Sequence, residues 1–183
     1  MQILAISGSL RAASSNTILL NAAATLAPEN LEVVVYRELA SLPHFNPDHD
    51  NDCVPPAVAD FRSQLRKSSG VVISSPEYAH GVPGVLKNAL DWLVRSGELY
   101  EKPLALFSAS PRATFAQASL TETLKVMTAR LITDASITVP LLGKNLDESS
   151  VVSDPGMSRS VLPSWHSRYA IGPVETHRDG RCS

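Results

Sequence analysis

The turn Gly8-Ser9-Leu10-Arg11-Ala12-Ala13-Ser14-Ser15-Asn16-Thr17 carries more hydrogen-bond donors than a simple connection needs. The hydroxyls of Ser9, Ser15 and Thr17, the amide of Asn16 and the guanidinium of Arg11 can all donate, and arginine's planar fork suits a two-pronged grip on phosphate. The turn follows the apolar run Ile3-Leu4-Ala5-Ile6 and precedes Leu19, Ala22, Ala23 and Leu26, spaced as one face of a helix. A loop between strand and helix presents unpaired N–H groups at the positive helix end, where anions bind. Phosphate binding is the chemistry implied. An ordinary N-cap beside a solvated arginine is the structural alternative, and it leaves most of these donors without a purpose.

The spacing excludes the two commonest nucleotide loops. A dinucleotide loop needs three glycines as G-x-G-x-x-G and a P-loop needs G-x-x-x-x-G-K, whereas Gly8 stands alone with no lysine after it. Without close-approach glycines, the turn fits a terminal phosphate monoester held from the side better than a pyrophosphate. That points to a mononucleotide such as FMN.

The elements that must position this turn follow in order. Leu31 to Tyr36 is β-branched and short and predicts a second strand. Arg37 to Pro56, interrupted by Pro43, Pro47 and Pro55, predicts a long surface loop. Over Ala57 to Ser69, Val58, Phe61 and Leu65 define the inner face of a helix, with Arg62, Arg66 and Lys67 on a solvated outer face. Gly70 to Ser75 reads as a strand buried on both faces. A polar loop, Pro76 to Gly84, leads to a helix from Val85 to Arg95, with Pro83 as start signal and Gly97 as stop. Leu104 to Ser108 is another strand, entering Ala109-Ser110-Pro111-Arg112. Leu120, Leu124, Met127 and Leu131 mark a further helix, Ala135 to Val139 a fifth strand, and Met157 to Tyr169 a short helix limited by Pro163, with Val161, Leu162 and Trp165 packing back.

Strands alternating with helices imply right-handed crossovers and one mostly parallel sheet covered on both faces. Ligands in such folds lie outside the carboxyl ends of the strands. The loops at 8–17, 75–84 and 108–114 all leave a strand's carboxyl end, so they converge on one rim. The expected domain is 1–172, with 173–183 a polar, frayed tail.

The formal net charge of −2 gives no electrostatic footprint for nucleic acid or an anionic membrane. No apolar run approaches the ~20 residues of a membrane span, and the first strand begins at once without a basic region or cleavage site. A soluble cytoplasmic protein is expected. Cys53 and Cys182 make no metal spacing with the histidines, so neither a metal site nor a disulfide framework is expected.

Gly8-Ser9-Leu10-Arg11 with Ser15-Asn16, Ser75-Pro76-Glu77-Tyr78, and Pro83-Gly84-Val85-Leu86-Lys87-Asn88-Ala89-Leu90-Asp91-Trp92 together resemble the NADPH-dependent FMN reductase family of flavodoxin-like quinone, chromate and azo-dye reductases. The likeness spans roughly residues 1 to 140. Leu42 to Asp48 also resembles the family's connection after its second strand. The resemblance implies a doubly wound five-stranded parallel sheet in the order 2-1-3-4-5. It implies FMN held at the phosphate by Ser9, Arg11, Ser15, Asn16 and Thr17, with Pro76, Glu77, Tyr78 and Ala79 against the isoalloxazine and Ser108 at the ring's other edge.

It also implies NADPH or NADH as electron donor, a small-molecule acceptor (quinone, free flavin, azo dye or chromate), and a homodimer or homotetramer joined through the helix after the second loop. Hydride transfer through flavin N5 requires no protein acid or base, so no catalytic side chain is assigned, His80 included. Asp91 and Trp92 are read as core or interface. Two departures stand out: Ala79-His80 where the family carries Asn, and Arg112-Ala113-Thr114 where it carries a glycine pair. The alternatives are a flavodoxin-type one-electron carrier, which the near-neutral charge disfavours, and a flavodoxin-like protein without flavin.

Overall fold

Successive residues of a strand face opposite ways. In β1 (Gln2–Ser7), Ile3 and Ala5 therefore join one core while Leu4 and Ile6 join another. The computed structural model describes residues 1–141, 143 and 146–166, the last four by backbone alone. β1 lies at the centre of a parallel sheet with β2 (Glu32–Tyr36), β3 (Gly70–Ser74) and β4 (Pro103–Ser108), in the order β2-β1-β3-β4.

Two short strands fill the fifth position. β5 (Arg130–Leu131) pairs with the start of β4 and β6 (Ile137–Thr138) with its end. The strand expected at 135–139 is thus shorter than its sequence suggests. Between the two, Thr133–Ala135 forms a 3₁₀ turn, and the Ser136 hydroxyl takes the Leu106 N–H at 3.0 Å, replacing a backbone ladder bond with a side chain.

One face is covered by α1 (Ser15–Thr25), α5 (Glu148–Ser153) and α6 (Pro155–His166). Leu19, Leu20, Ala22 and Ala23 of α1, with Val151 and Val161, close over Ile3, Ala5, Val72 and Phe107. The other face is covered by α2 (Pro56–Lys67), α3 (Gly84–Asp91) and α4 (Thr114–Val126). There Phe61, Leu65, Leu86, Leu90, Trp92 and Leu120 pack on Leu4, Ile6, Val71, Ile73 and Leu106. This is the doubly wound arrangement expected.

Four expectations change. Leu131 does not belong to α4: the chain reverses at Thr128 (φ +57°), Ala129 N–H caps the Leu124 carbonyl at 3.0 Å, and Leu131 enters β5. α3 ends at Asp91, four residues before Arg95, and continues as turns. Val161 of α6 packs inward but Leu162 is exposed, and the helix backbone runs through Pro163 to His166. The Trp165 side chain, Tyr169, Cys182 and the expected tail 173–183 lie outside the described residues.

Arg62 is the fourth. Expected on a solvated face, it is buried, its guanidinium 2.8 Å from the Asp50 carboxylate and donating through Nε to the Trp92 carbonyl at 3.1 Å. The loop 37–55 explains this, because it folds down over α2 instead of standing in solvent. Leu39 and Leu42 are buried, the Phe45 N–H donates to Asn88 Oδ1 at 2.7 Å, and the Phe45 ring meets Trp92 edge-on at 5.1 Å. Asn88 Nδ2 and Trp92 Nε1 both donate to the Pro43 carbonyl, at 3.0 and 2.9 Å. Much of the Lys87-to-Trp92 motif therefore serves to pin this loop.

Candidate functional site

At the carboxyl rim of β1, β3 and β4, three loops enclose a cleft of about 260 Å³. The first loop contributes Ser9, Arg11, Ser14, Ser15 and Asn16; the second Ser75, Pro76, Glu77 and Tyr78; the third Ala109, Ser110, Arg112 and Ala113. The first two loops touch at Gly8. Its N–H donates to the Ser74 carbonyl at 2.8 Å, and a Cβ there would lie 2.8 Å from Ser75 Oγ and 3.1 Å from Leu86 Cδ2. Glycine is needed for this approach, not for a turn conformation.

Helix α1 opens on the cleft without a cap. Ser14, at the N-cap, bonds no helix N–H through its side chain, and the N–H groups of Ser15, Asn16 and Thr17 have no acceptor among the described residues. Asn16 is buried with its Oδ1 accepting from the Ser74 hydroxyl at 2.9 Å, which leaves its amide NH2 as the group available to the cleft. Unsatisfied donors at a helix start attract an anion. Arg11 adds a guanidinium that forms no ion pair among the described residues.

The second loop is a tight hairpin. Tyr78 and Gly81 exchange N–H···O bonds at 3.1 and 2.9 Å, and Ala79 and His80 between them both have positive φ, +48° and +61°. Such a turn favours Asn-Gly, so two side chains with Cβ atoms hold it at a cost. The loop is fastened to α4 at two points. Glu77 Oε2 accepts from the Ala116 N–H at 2.8 Å, capping a helix whose own N-cap, Ala113, has no capping group. The His80 ring stacks on Phe115 with centroids 4.1 Å apart and planes 12° from parallel. Tyr78 and Phe115 remain exposed, giving the rim an aromatic edge.

The third loop is shaped by its own hydroxyls. Ser108 Oγ donates to the Ser110 carbonyl at 2.7 Å and receives the Ser110 N–H at 3.3 Å, while Ser110 Oγ receives the Arg112 N–H at 3.2 Å.

Of the residues marked by the sequence, Ser9, Arg11, Ser15, Asn16, Pro76, Glu77 and Tyr78 meet at the cleft. Thr17 does not line this cleft: its hydroxyl pairs with that of Ser7 at 2.9 Å, in an adjoining groove beside β2 that shares Ser9 and Arg11 with the cleft. Ala79 sits at the exposed hairpin tip, and Ser108 is buried behind the third loop, shaping it. Ser14, Ser75 and Ser110 join the cleft without a distinguishing sequence signal, although Ser75 and Ser110 follow strand ends and Ser14 occupies the N-cap of α1. Among the described residues no cluster of His, Cys, Asp or Glu is arranged to hold a metal, Cys53 is a free exposed thiol, and no helix is long and apolar enough to cross a membrane.

A parallel sheet in this order, with its polar cleft at the carboxyl rim, defines a flavodoxin-like α/β protein. Its backbone superimposes on that of FerB, a flavoenzyme NAD(P)H:(acceptor) oxidoreductase from Paracoccus denitrificans, with a TM-score of 0.77 at 26% identity over 88% of this chain and 91% of the other. The chain belongs to the NADPH-dependent FMN reductase family, whose model matches residues 1–141. It is 38% identical over 112 residues to an NAD(P)H-dependent FMN reductase of Pseudomonas aeruginosa, covering 60% of each chain. A quinone reductase of Escherichia coli is 38% identical over 106 residues, 57% of this chain and 55% of its own. The chain thus spans little more than half the length of these relatives. An NADH:(hydroxy)cinnamate reductase subunit of Vibrio ruber matches further, at 34% identity over 151 residues, 79% of this chain and 72% of its own.

Proposed function

We propose that this protein binds FMN in the three-loop cleft and works as an NAD(P)H-dependent oxidoreductase on small acceptors, quinones foremost. The observation that carries the reading is the uncapped start of α1 beside Arg11, which has no ion pair among the described residues, a donor set that fits a phosphate monoester. Ser9 and Ser15 hydroxyls, the α1 N–H groups, the Asn16 amide and Arg11 would hold that phosphate. Pro76, Glu77 and Tyr78 would border the ring from one side, and Ala109, Ser110 and Ala113, small residues on the opposite loop, leave width for it. Ala79 and Ser108 would act through loop shape, and Thr17 through its bond to Ser7.

The chemistry FMN supplies when bound is two-electron transfer from a reduced nicotinamide to an acceptor. The chain's own part is to bind, orient and shield. The Glu77–Ala116 bond and the His80–Phe115 stack fix the second loop against the third, setting the cleft's width before any ligand arrives. No side chain in the cleft needs to trade a proton, which agrees with the Glu77 carboxylate being engaged as a helix cap. The relatives' names support quinone, flavin and hydroxycinnamate acceptors. Use of NADPH or NADH, donors regenerated in the cytoplasm, supports a cytoplasmic location. Val94, Tyr100 and Val126, exposed beyond the ends of α3 and at the end of α4, support self-association into a dimer or tetramer.

The test is direct. Purified protein mixed with FMN should retain yellow flavin through gel filtration and consume NADPH or NADH when a quinone is added. Flavin retained without turnover would favour an electron carrier, and no retention would refute the flavin site.

A further inference from the structure

Resting on the flavin reading above, we propose that Arg112 is the anchor for a negatively charged group on the second molecule to occupy the cleft. Arg112 lines the cleft from the third loop, and its guanidinium has no hydrogen bond or ion pair among the described residues. Three other arginines do have acidic partners: Arg62 lies on Asp50, Arg66 on Glu98 and Arg95 near Asp52. Arg112 has no such acid. Glu77 is the acidic residue in the cleft wall, and its carboxylate is committed to the Ala116 N–H. The described wall therefore holds two unpaired cations, Arg11 and Arg112, against one engaged anion.

One phosphate does not account for both. Arg11 leaves the end of β1 and Arg112 the end of β4, with β3 between them. Strands spaced about 4.8 Å apart put the roots of these loops roughly 10 Å apart. The uncapped α1 N-terminus and Arg11 satisfy an anion at one end, which leaves Arg112 facing the other. Its backbone is set by the Arg112 N–H to Ser110 Oγ bond and by Ala113, the first residue of the α4 cap, so the side chain is presented from a fixed root. Arginine so placed recognises a phosphate, sulfonate or carboxylate through charge-assisted bonds. Two molecules could carry that group: the dinucleotide electron donor, through its phosphates, or an acidic acceptor.

Equilibrium binding to the FMN-loaded protein separates them without turnover. Wild type, Arg112→Gln and Arg112→Lys would be titrated by calorimetry with NADP⁺, with 1,2-naphthoquinone-4-sulfonate and with neutral 1,2-naphthoquinone, and each apoprotein with FMN. Arg112→Gln should weaken one of the two anions roughly ten- to hundredfold, the worth of a charge-assisted contact. It should leave neutral quinone and FMN affinity unchanged, and Arg112→Lys should recover part of the loss. Loss confined to NADP⁺ identifies the donor as the source, and loss confined to the sulfonate identifies the acceptor. The proposal is overturned if both anions bind the variant as they bind wild type, if neutral quinone weakens equally, or if FMN affinity falls instead. Wild type that takes up no FMN would instead refute the flavin reading on which it rests.

Discussion

The Glu77 carboxylate accepts the Ala116 N–H at 2.8 Å, so a residue of the second loop caps the helix that follows the third. Helix α4 begins at Thr114 with alanine in its N-cap position and supplies no cap of its own. A carboxylate there meets both an orphan donor and the positive helix end. Two walls of the cleft are thereby joined by a single charge-assisted bond.

Glu77→Ala should therefore destabilise the fold by about 0.5–2 kcal/mol, the usual cost of a lost helix cap. Glu77→Gln, which keeps an acceptor oxygen, should lose less. Urea unfolding of the two variants beside wild type measures this, and an Ala variant as stable as wild type would show that the bond contributes nothing.

The hairpin tip offers a gain. Ala79 holds φ +48°, a region that costs a residue with a Cβ roughly 1–2 kcal/mol and that Asn and Gly enter more readily. Ala79→Asn should raise stability by about 0.5–1 kcal/mol, seen as a higher midpoint in thermal melts. A lower midpoint would mean the turn is not strained.

Much of this was legible in the residues. The uninterrupted apolar run of β3, the alternating faces of β1 and the polar loops after each strand end predict the sheet and the rim on which the cleft lies. What local pattern cannot carry is a partner distant in sequence. Arg62 reads as solvated because Asp50 reaches it only when the 37–55 loop folds down, and the Trp92 carbonyl comes from the end of α3. The capping role of Glu77 depends on where α4 begins, and Thr17 faces Ser7 because helix phase turns it toward β1. The fifth strand misleads because the Ser136 side chain takes a bond that backbone would otherwise make.

The buried pair of Arg62 and Asp50 gives a large effect. Asp50→Ala strands a guanidinium away from water and should cost about 3–5 kcal/mol, whereas adding Arg62→Met to remove the charge should recover most of it. Chemical denaturation of the single and double variants decides. A double variant no better than the single one would contradict the pairing.

Tyr36 presents a buried hydroxyl with no hydrogen-bond partner among the described residues, and burial, reinforced by Asp60 and Glu38, pushes its pKa up to about 12. Tyr36→Phe should be neutral or stabilising by up to about 1 kcal/mol, since no bond is lost and an unsatisfied group is removed. The raised value means the folded state holds the phenolic proton more tightly than the unfolded chain. Wild-type stability from this group is intact below pH 10 and declines as pH rises toward 12, and Tyr36→Phe should remove that part of the alkaline decline. An identical alkaline profile in the two proteins would refute the assignment.

The central claim is that the start of α1 and Arg11 hold the phosphate of FMN. Flavin fluorescence quenching with wild type and Arg11→Ala tests it most directly. Saturable binding by wild type, weakened by about 1.5–3 kcal/mol in the variant, roughly ten- to hundredfold, is the predicted result. FMN that stays unquenched by wild type, or equal affinity in the two proteins, would contradict it.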